Sequence, residues 1–169
     1  EGPKQFKVNL LYPYFDSKLP DKLPIKKIDN EIIVNSKVFT IPLKEITIED
    51  IGVVIGKPSE NSKFLWNTIL EKTTKHDNSG SLMSLSKKIK SFSIAPIFKN
   101  FITPMYKEKL LTSNYNDNNL NLINEAKNKD VISVLCLDFV PKEFHAFILN
   151  YIIRKLSELL NESKIKKKN

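Results

Sequence analysis

Apolar and polar positions alternate with a period near two through the first third of the chain, and near 3.6 through much of the rest. In QFKVNLLYPYF, Phe6, Val8 and Leu10 alternate with Lys7 and Asn9, the pattern of a half-buried strand. DSKLPDKLP breaks it with prolines and charges and reads as a loop. NEIIVNSKVFTIPL gives two β-rich runs about Asn35-Ser36, a two-residue hairpin turn that lacks the usual glycine. EITIEDIGVVIG continues the alternation through Ile46 and Ile48 and then runs on with Val53, Val54 and Ile55. Consecutive strands without helical crossovers predict an antiparallel meander.

From residue 59 onward the period lengthens. SENSKFLWNTILEKTTKH places Leu65, Trp66, Ile69 and Leu70 at helical spacing, with Ser59 or Asn61 as the N-cap. HDNSGS is a loop. SLMSLSKKIKSFS steps through Leu82, Leu85, Ile89 and Phe92 as an amphipathic helix, although residues 86–95 also alternate as a strand would. Pro96 and Pro104 bracket IFKNFIT, where Phe98, Phe101, Ile102 and Met105 recur at helical steps. An Asn-rich loop and a short helix, LNLINEAKNK, lead to VISVLCLDF, apolar on both faces and so predicted to be a central strand. PKEFHAFILNYIIRKLSELLNES is the clearest helix, with Pro141 suited to its first turn.

The order implies an α+β fold: an N-terminal antiparallel meander, then helices, one central apolar strand and a long C-terminal helix packed on the sheet. At 169 residues the chain fits one domain, 1–163, with 164–169 as a basic flexible tail. No apolar run reaches the roughly 18 residues of a membrane span. The chain opens Glu1-Gly2-Pro3, not Met, which reads as a tag remnant and leaves any upstream anchor or targeting segment open.

Charge changes this picture less than its size suggests. The formal net charge is +8, but 26 of the 27 basic residues are lysine and Arg154 is the sole arginine. With 17 asparagines and 20 isoleucines, that usage reflects AT-rich coding. It therefore weakens the basic pI as a sign of phosphate or base recognition, for which the arginine fork is better suited. The excess lies in residues 51–110 and the tail. Residues 87–109 carry six lysines and one acid, interleaved with Phe92, Phe98, Phe101 and Tyr106. Lys87, Lys88, Lys90 and Lys99 with Phe92 form a candidate nucleic-acid surface, bases stacking on rings and lysines following the backbone. The same stretch would also suit an anionic membrane surface.

Reacting groups are sparse. Cys136 is the only cysteine, which excludes an internal disulfide and a multi-cysteine zinc site and fits a reducing compartment, cytoplasm or nucleus. It lies mid-strand between Leu135 and Leu137, where a thiol acts as a small hydrophobe. His145 falls early in the last helix, and His76 is far away in a polar loop, so the two make no metal site by spacing. Asp138 ends the apolar strand, where many α/β enzymes hold a metal-binding or catalytic carboxylate. The phosphate loop it would need is missing. In GVVIGKPS the glycines Gly52 and Gly56 are one residue too close for a Walker A loop, Pro58 takes the hydroxyl position, and branched residues fill the turn. Those glycines are expected to end a strand, and Asp138 to mark a strand end. Neither an enzyme, a cofactor, a metal nor a small-molecule substrate is predicted.

The last helix carries two apolar stripes. Phe144, Phe147, Ile148, Tyr151, Ile152 and Leu159 form one; Ala146, Leu149, Ile153, Leu156 and Leu160 form the other. A surface helix needs only one such stripe. The expected function is a non-catalytic adaptor or scaffold module of a larger intracellular complex. Phe147, Tyr151, Arg154, Lys155 and Leu160 are its contact residues, and the partner is another subunit or a second copy. Nucleic acid and a membrane surface are the alternatives.

Overall fold

The computed structural model describes residues 6–23, 32–75, 95–113 and 130–166. The described elements begin with β1 (Phe6–Pro13), β2 (Ile32–Phe39), β3 (Ile41–Pro42) and a 3-10 turn, Leu43–Glu45. Next come α1 (Ile48–Ile55), α2 (Glu60–Lys75) and a helical stretch over 95–107, here α3. β4 (Leu111–Thr112), β5 (Val131–Leu135), a 3-10 turn Lys142–Phe144 and α4 (His145–Lys166) complete the order. The helix-or-strand ambiguity at 86–95 (Ala95 apart) and the helix expected in LNLINEAKNK lie outside the described residues.

The fold combines helices with a small sheet, and the sheet is parallel. β1 is its middle strand, with β2 on one side and β5 on the other, both running in the same direction. β3 and β4 form a second, two-stranded parallel pair. The antiparallel meander is therefore corrected. Asn35 and Ser36 sit inside an unbroken strand whose every residue is in register with β1, from Phe6↔Ile32 to Pro13↔Phe39. Without glycine, the Asn-Ser pair has no strong preference for the positive φ that a two-residue hairpin turn demands.

The expected central strand stands at an edge among the described strands. Among the described strands, β5 pairs only with β1, and Ile132 and Val134 stand 56% and 41% exposed. The middle place goes to β1, although its sequence alternates with polar residues. Asn9 is buried there, next in register to Asn35 and Ser133. Leu11, Phe39 and Leu135 turn to the core-bearing face.

IEDIGVVI forms α1, not a strand. Thr47 caps it: the hydroxyl accepts from Asp50 N–H (3.3 Å), while Asp50 Oδ2 accepts from Thr47 N–H (2.8 Å). This reciprocal box satisfies two donors that the first turn otherwise leaves unpaired. Gly52 thus lies within a helix and Gly56 at its end. Gly56 has φ +85°, a conformation other residues resist, and its N–H closes on Gly52 O.

α2 forms as its spacing predicts. Ser59 Oγ accepts from Ser62 N–H (3.2 Å), and Trp66 is fully buried, its indole N–H donating to Ile46 O (3.1 Å). In α3, Phe98, Ile102 and Met105 are buried, as helical spacing requires. Pro104 has no N–H to continue an α ladder, and the turn before it widens so that Thr103 N–H reaches Phe98 O, five residues back. Trp66 and Phe98 meet with ring centroids 5.3 Å apart. α4 continues through Lys166, past the point at 164 where a flexible tail was expected; lysine is a good helix former.

Candidate functional site

α4 is launched from the strand end by a tight turn. Val140 N–H donates to Leu137 O, and Phe144 N–H to Pro141 O. Its first stripe turns inward: Phe144, Phe147, Ile148 and Tyr151 are all buried, in the same core as Trp66, Phe98 and Met105.

The polar groups beside that stripe are also turned toward the protein. Tyr151 Oη donates to Glu45 Oε2 (2.7 Å), and Asn150 Nδ2 donates to Glu49 O (3.2 Å). Arg154 makes a two-pronged contact with Asp50, Nε to Oδ1 at 2.7 Å and Nη2 to Oδ2 at 2.8 Å. Nη2 also donates to Glu45 O (2.7 Å), and Nη1 donates to Glu158 Oε1. Burial alone would lower the Arg154 guanidinium, but the hydrogen bonds and charge of Asp50, then of Glu158, hold it well above its ordinary value. The guanidinium lies 5.6 Å from the Tyr151 ring centroid. Lys155 Nζ faces Glu45 Oε2 (3.2 Å) and Glu158 Oε2 (3.7 Å).

These contacts correct the expected surface. Phe147 and Tyr151, 0% and 1% exposed, are core residues. Arg154 and Lys155 spend their charge on the chain's own carboxylates. Of the five expected contact residues, Leu160 is the open one, 62% exposed. Leu149 and Ile153 stand with it at 43% and 60%. Together with Ala146 and Leu156 they form the second stripe, at steps of three, four, three and four residues. Two residues that anchor the inward edge of α4, Asp50 and Glu45, escaped the sequence reading. For Asp50 a signal was present, the Thr47-x-x-Asp50 capping box.

The end of β5 brings Cys136, Tyr12 and Asp138 near one another. Cys136 N–H continues the ladder to Leu11 O (2.9 Å), which places Cys136 next to Tyr12. Burial pushes the Tyr12 hydroxyl above its ordinary range; a hydrogen bond to the Cys136 side chain and the charges of Cys136 and Asp138 add to this. The Tyr12 ring packs on Phe139, centroids 5.6 Å apart. Asp138 is exposed. His145 Nε2 lies 2.8 Å from Val140 O, so the ring donates to its own preceding turn. Among the described residues, no three His, Cys, Asp or Glu side chains cluster as a metal would need.

Lys87, Lys88, Lys90 and Phe92, the heart of the nucleic-acid alternative, lie outside the described residues, as does His76. Lys99 is exposed on α3, next to buried Phe98. Among the described residues, no helix is long and apolar enough to cross a membrane. No family model matches the chain, and no curated protein or solved structure does either.

Proposed function

We propose that this domain is a non-catalytic protein-interaction module of a larger intracellular complex, and that it receives a partner helix on the outer stripe of α4. One observation carries the reading: Leu149, Ile153 and Leu160 are open to solvent along a single line of the helix. Isolated apolar residues on a surface are ordinary and need no explanation. Here the apolar positions alternate three and four residues apart over two heptads, the spacing by which one α-helix seats side chains between those of another. The matching occupant is a helix of another subunit, or of a second copy, with apolar residues at the same steps. Lys155 adds no attraction to an acidic partner, because Glu45 and Glu158 already face that ammonium.

A photo-crosslinking residue placed at Leu149 or Ile153 tests this in native lysate, with sedimentation of the purified chain run alongside. The expected product is one cross-linked helix with apolar residues at three-four spacing, lost on Leu160→Asp. Diffuse labelling in the lysate, with a monomer at high concentration in the centrifuge, would reject the reading.

A further inference from the structure

A second surface feature lies away from α4, where the parallel strands end. Tyr14 and Thr40 follow the carboxyl ends of β1 and β2, and with Tyr106, Lys109, Leu111, Thr112 and Ser113 they line a cavity of about 370 Å³. That volume falls in the range of about 300–1,000 Å³ typical of small-ligand pockets. The crevice beyond the carboxyl ends of parallel strands is where open α/β sheets bind their ligands.

The rim of this cavity is fixed in advance. The loop after β1 is fastened to the turn after α3: Asp16 N–H donates to Glu108 O (3.1 Å) and Ser17 N–H to Glu108 Oε2 (2.8 Å). The next residue, Lys109, has φ +60° and is the one described non-glycine residue with a positive φ. Glycine would take that turn without strain, yet a lysine stands there and lines the cavity. Its ammonium lies 2.9 Å from Asp16 Oδ2, while the Tyr14 hydroxyl donates to Asp16 Oδ1 (3.1 Å). The Tyr106 hydroxyl donates to Ser113 Oγ at 3.4 Å, a long bond that a better partner would outcompete.

These groups restrict the ligand. Five of the seven lining residues, Tyr14, Thr40, Tyr106, Thr112 and Ser113, carry a hydroxyl, and a hydroxyl engaged once still has capacity to donate or accept. A purely apolar ligand would leave that capacity unused. The Lys109 charge is already matched by Asp16, so an added anion meets that carboxylate and an added cation meets the ammonium. The tyrosine rings and Leu111 supply the apolar walls.

We infer that this pocket binds a small, uncharged, hydroxyl-rich ring of monosaccharide size, held between Tyr14 and Tyr106 and hydrogen-bonded by Thr112, Ser113 and the Lys109–Asp16 pair. The site is separate from α4 and stands or falls without the helix-docking proposal.

The test is a titration of the isotope-labelled full chain, followed by backbone amide shifts, with glucose, its anionic relative glucuronate, its cationic relative glucosamine, and inorganic phosphate. Glucose at millimolar concentration should move the amides of Tyr14, Thr40, Lys109, Thr112 and Ser113 and leave the Trp66 indole signal in place. Lys109→Gly keeps the turn and should weaken binding by about tenfold, the effect of one good hydrogen bond lost. Ser113→Trp should abolish it; if that variant does not fold, Lys109→Gly decides. The inference is overturned if glucose moves none of these amides, if only a charged probe does, or if Lys109→Gly leaves the glucose affinity unchanged.

Discussion

Arg154, the only arginine in the chain, grips Asp50 through two parallel hydrogen bonds of 2.7 and 2.8 Å, joining the middle of α4 to the first turn of α1. Asp50 is 0% exposed. Its second oxygen also accepts Thr47 N–H, so one carboxylate both caps α1 and docks α4. Removing the guanidinium leaves a buried charge with a single backbone partner. Breaking a buried pair in that way costs about 3–5 kcal/mol. Arg154→Met is therefore expected to destabilise the fold by about 3 kcal/mol, toward the low end because Arg154 itself is partly solvated. Arg154→Lys keeps the charge but loses the fork and should fall between, at about 1–2 kcal/mol. Urea unfolding followed by the fluorescence of Trp66, the single tryptophan, measures both; a loss under about 0.5 kcal/mol in Arg154→Met would show the pair to be ornamental.

The two stripes of α4 should respond in opposite ways to the same change. Ile153→Asp introduces a charge at a position 60% open and should alter stability by no more than about 0.5 kcal/mol. Tyr151→Asp buries that charge where Tyr151 is 1% exposed and Glu45 already faces the hydroxyl at 2.7 Å, so two carboxylates would crowd one buried site. A loss above about 4 kcal/mol, or failure to fold, is expected there. Circular dichroism on the two variants gives the comparison, and only Ile153→Asp is usable for tests of binding.

Why the sequence could locate α4 and not its inward face follows from these residues. Both stripes have the same period and similar apolar content, so hydrophobicity alone does not choose between them. The choice is made by Tyr151, Arg154 and Lys155, whose partners Glu45 and Asp50 lie about a hundred residues away in the chain. α2 and the Phe98–Met105 positions were legible because their burial follows local period alone. The strand-like Ile46 and Ile48 alternation concealed α1, though the Thr47 box was readable in advance. Strand direction was not, because parallel pairing is set by long crossovers and leaves no turn signature between partners. A run that is apolar on both faces, such as VISVL, need not be central: β5 leaves Ile132 and Val134 largely open.

The strand-end tyrosine gives a prediction in alkali. The folded state holds the Tyr12 proton above the ordinary value of 10.0, first through burial and then through Cys136 and Asp138. As pH rises past 10.0 the unfolded chain releases that proton while the folded chain keeps it. Stability from this group is therefore intact below the unfolded value and drains away as pH rises through the folded one. Tyr12→Phe lacks the proton, so the stability advantage of the natural chain over this variant should shrink between about pH 8 and about pH 11. Urea midpoints of the two proteins at both values provide the check, the lysines common to both cancelling in the comparison. An advantage that grows with pH would reverse the assigned sign.

Thr103 offers a gain where the others cost. Its hydroxyl oxygen is buried and has no hydrogen-bond partner among the described residues, at the end of the π-helical turn that precedes Pro104 in α3. Threonine in a helix usually returns its hydroxyl to a carbonyl one turn back, but the widened turn shifts those carbonyls away from their α-helical positions. An unpaired buried hydroxyl costs about 1–3 kcal/mol, and replacing it with a methyl group of the same shape recovers part of that. Thr103→Val keeps the branched side chain beside Ile102 and Met105 and should stabilise the domain by about 1 kcal/mol. Thr103→Ala removes the hydroxyl too but opens a gap, so its gain should be smaller or absent. Parallel urea curves give the order of the three proteins, and a threonine more stable than valine here would mean that the hydroxyl has a hydrogen-bond partner in solution.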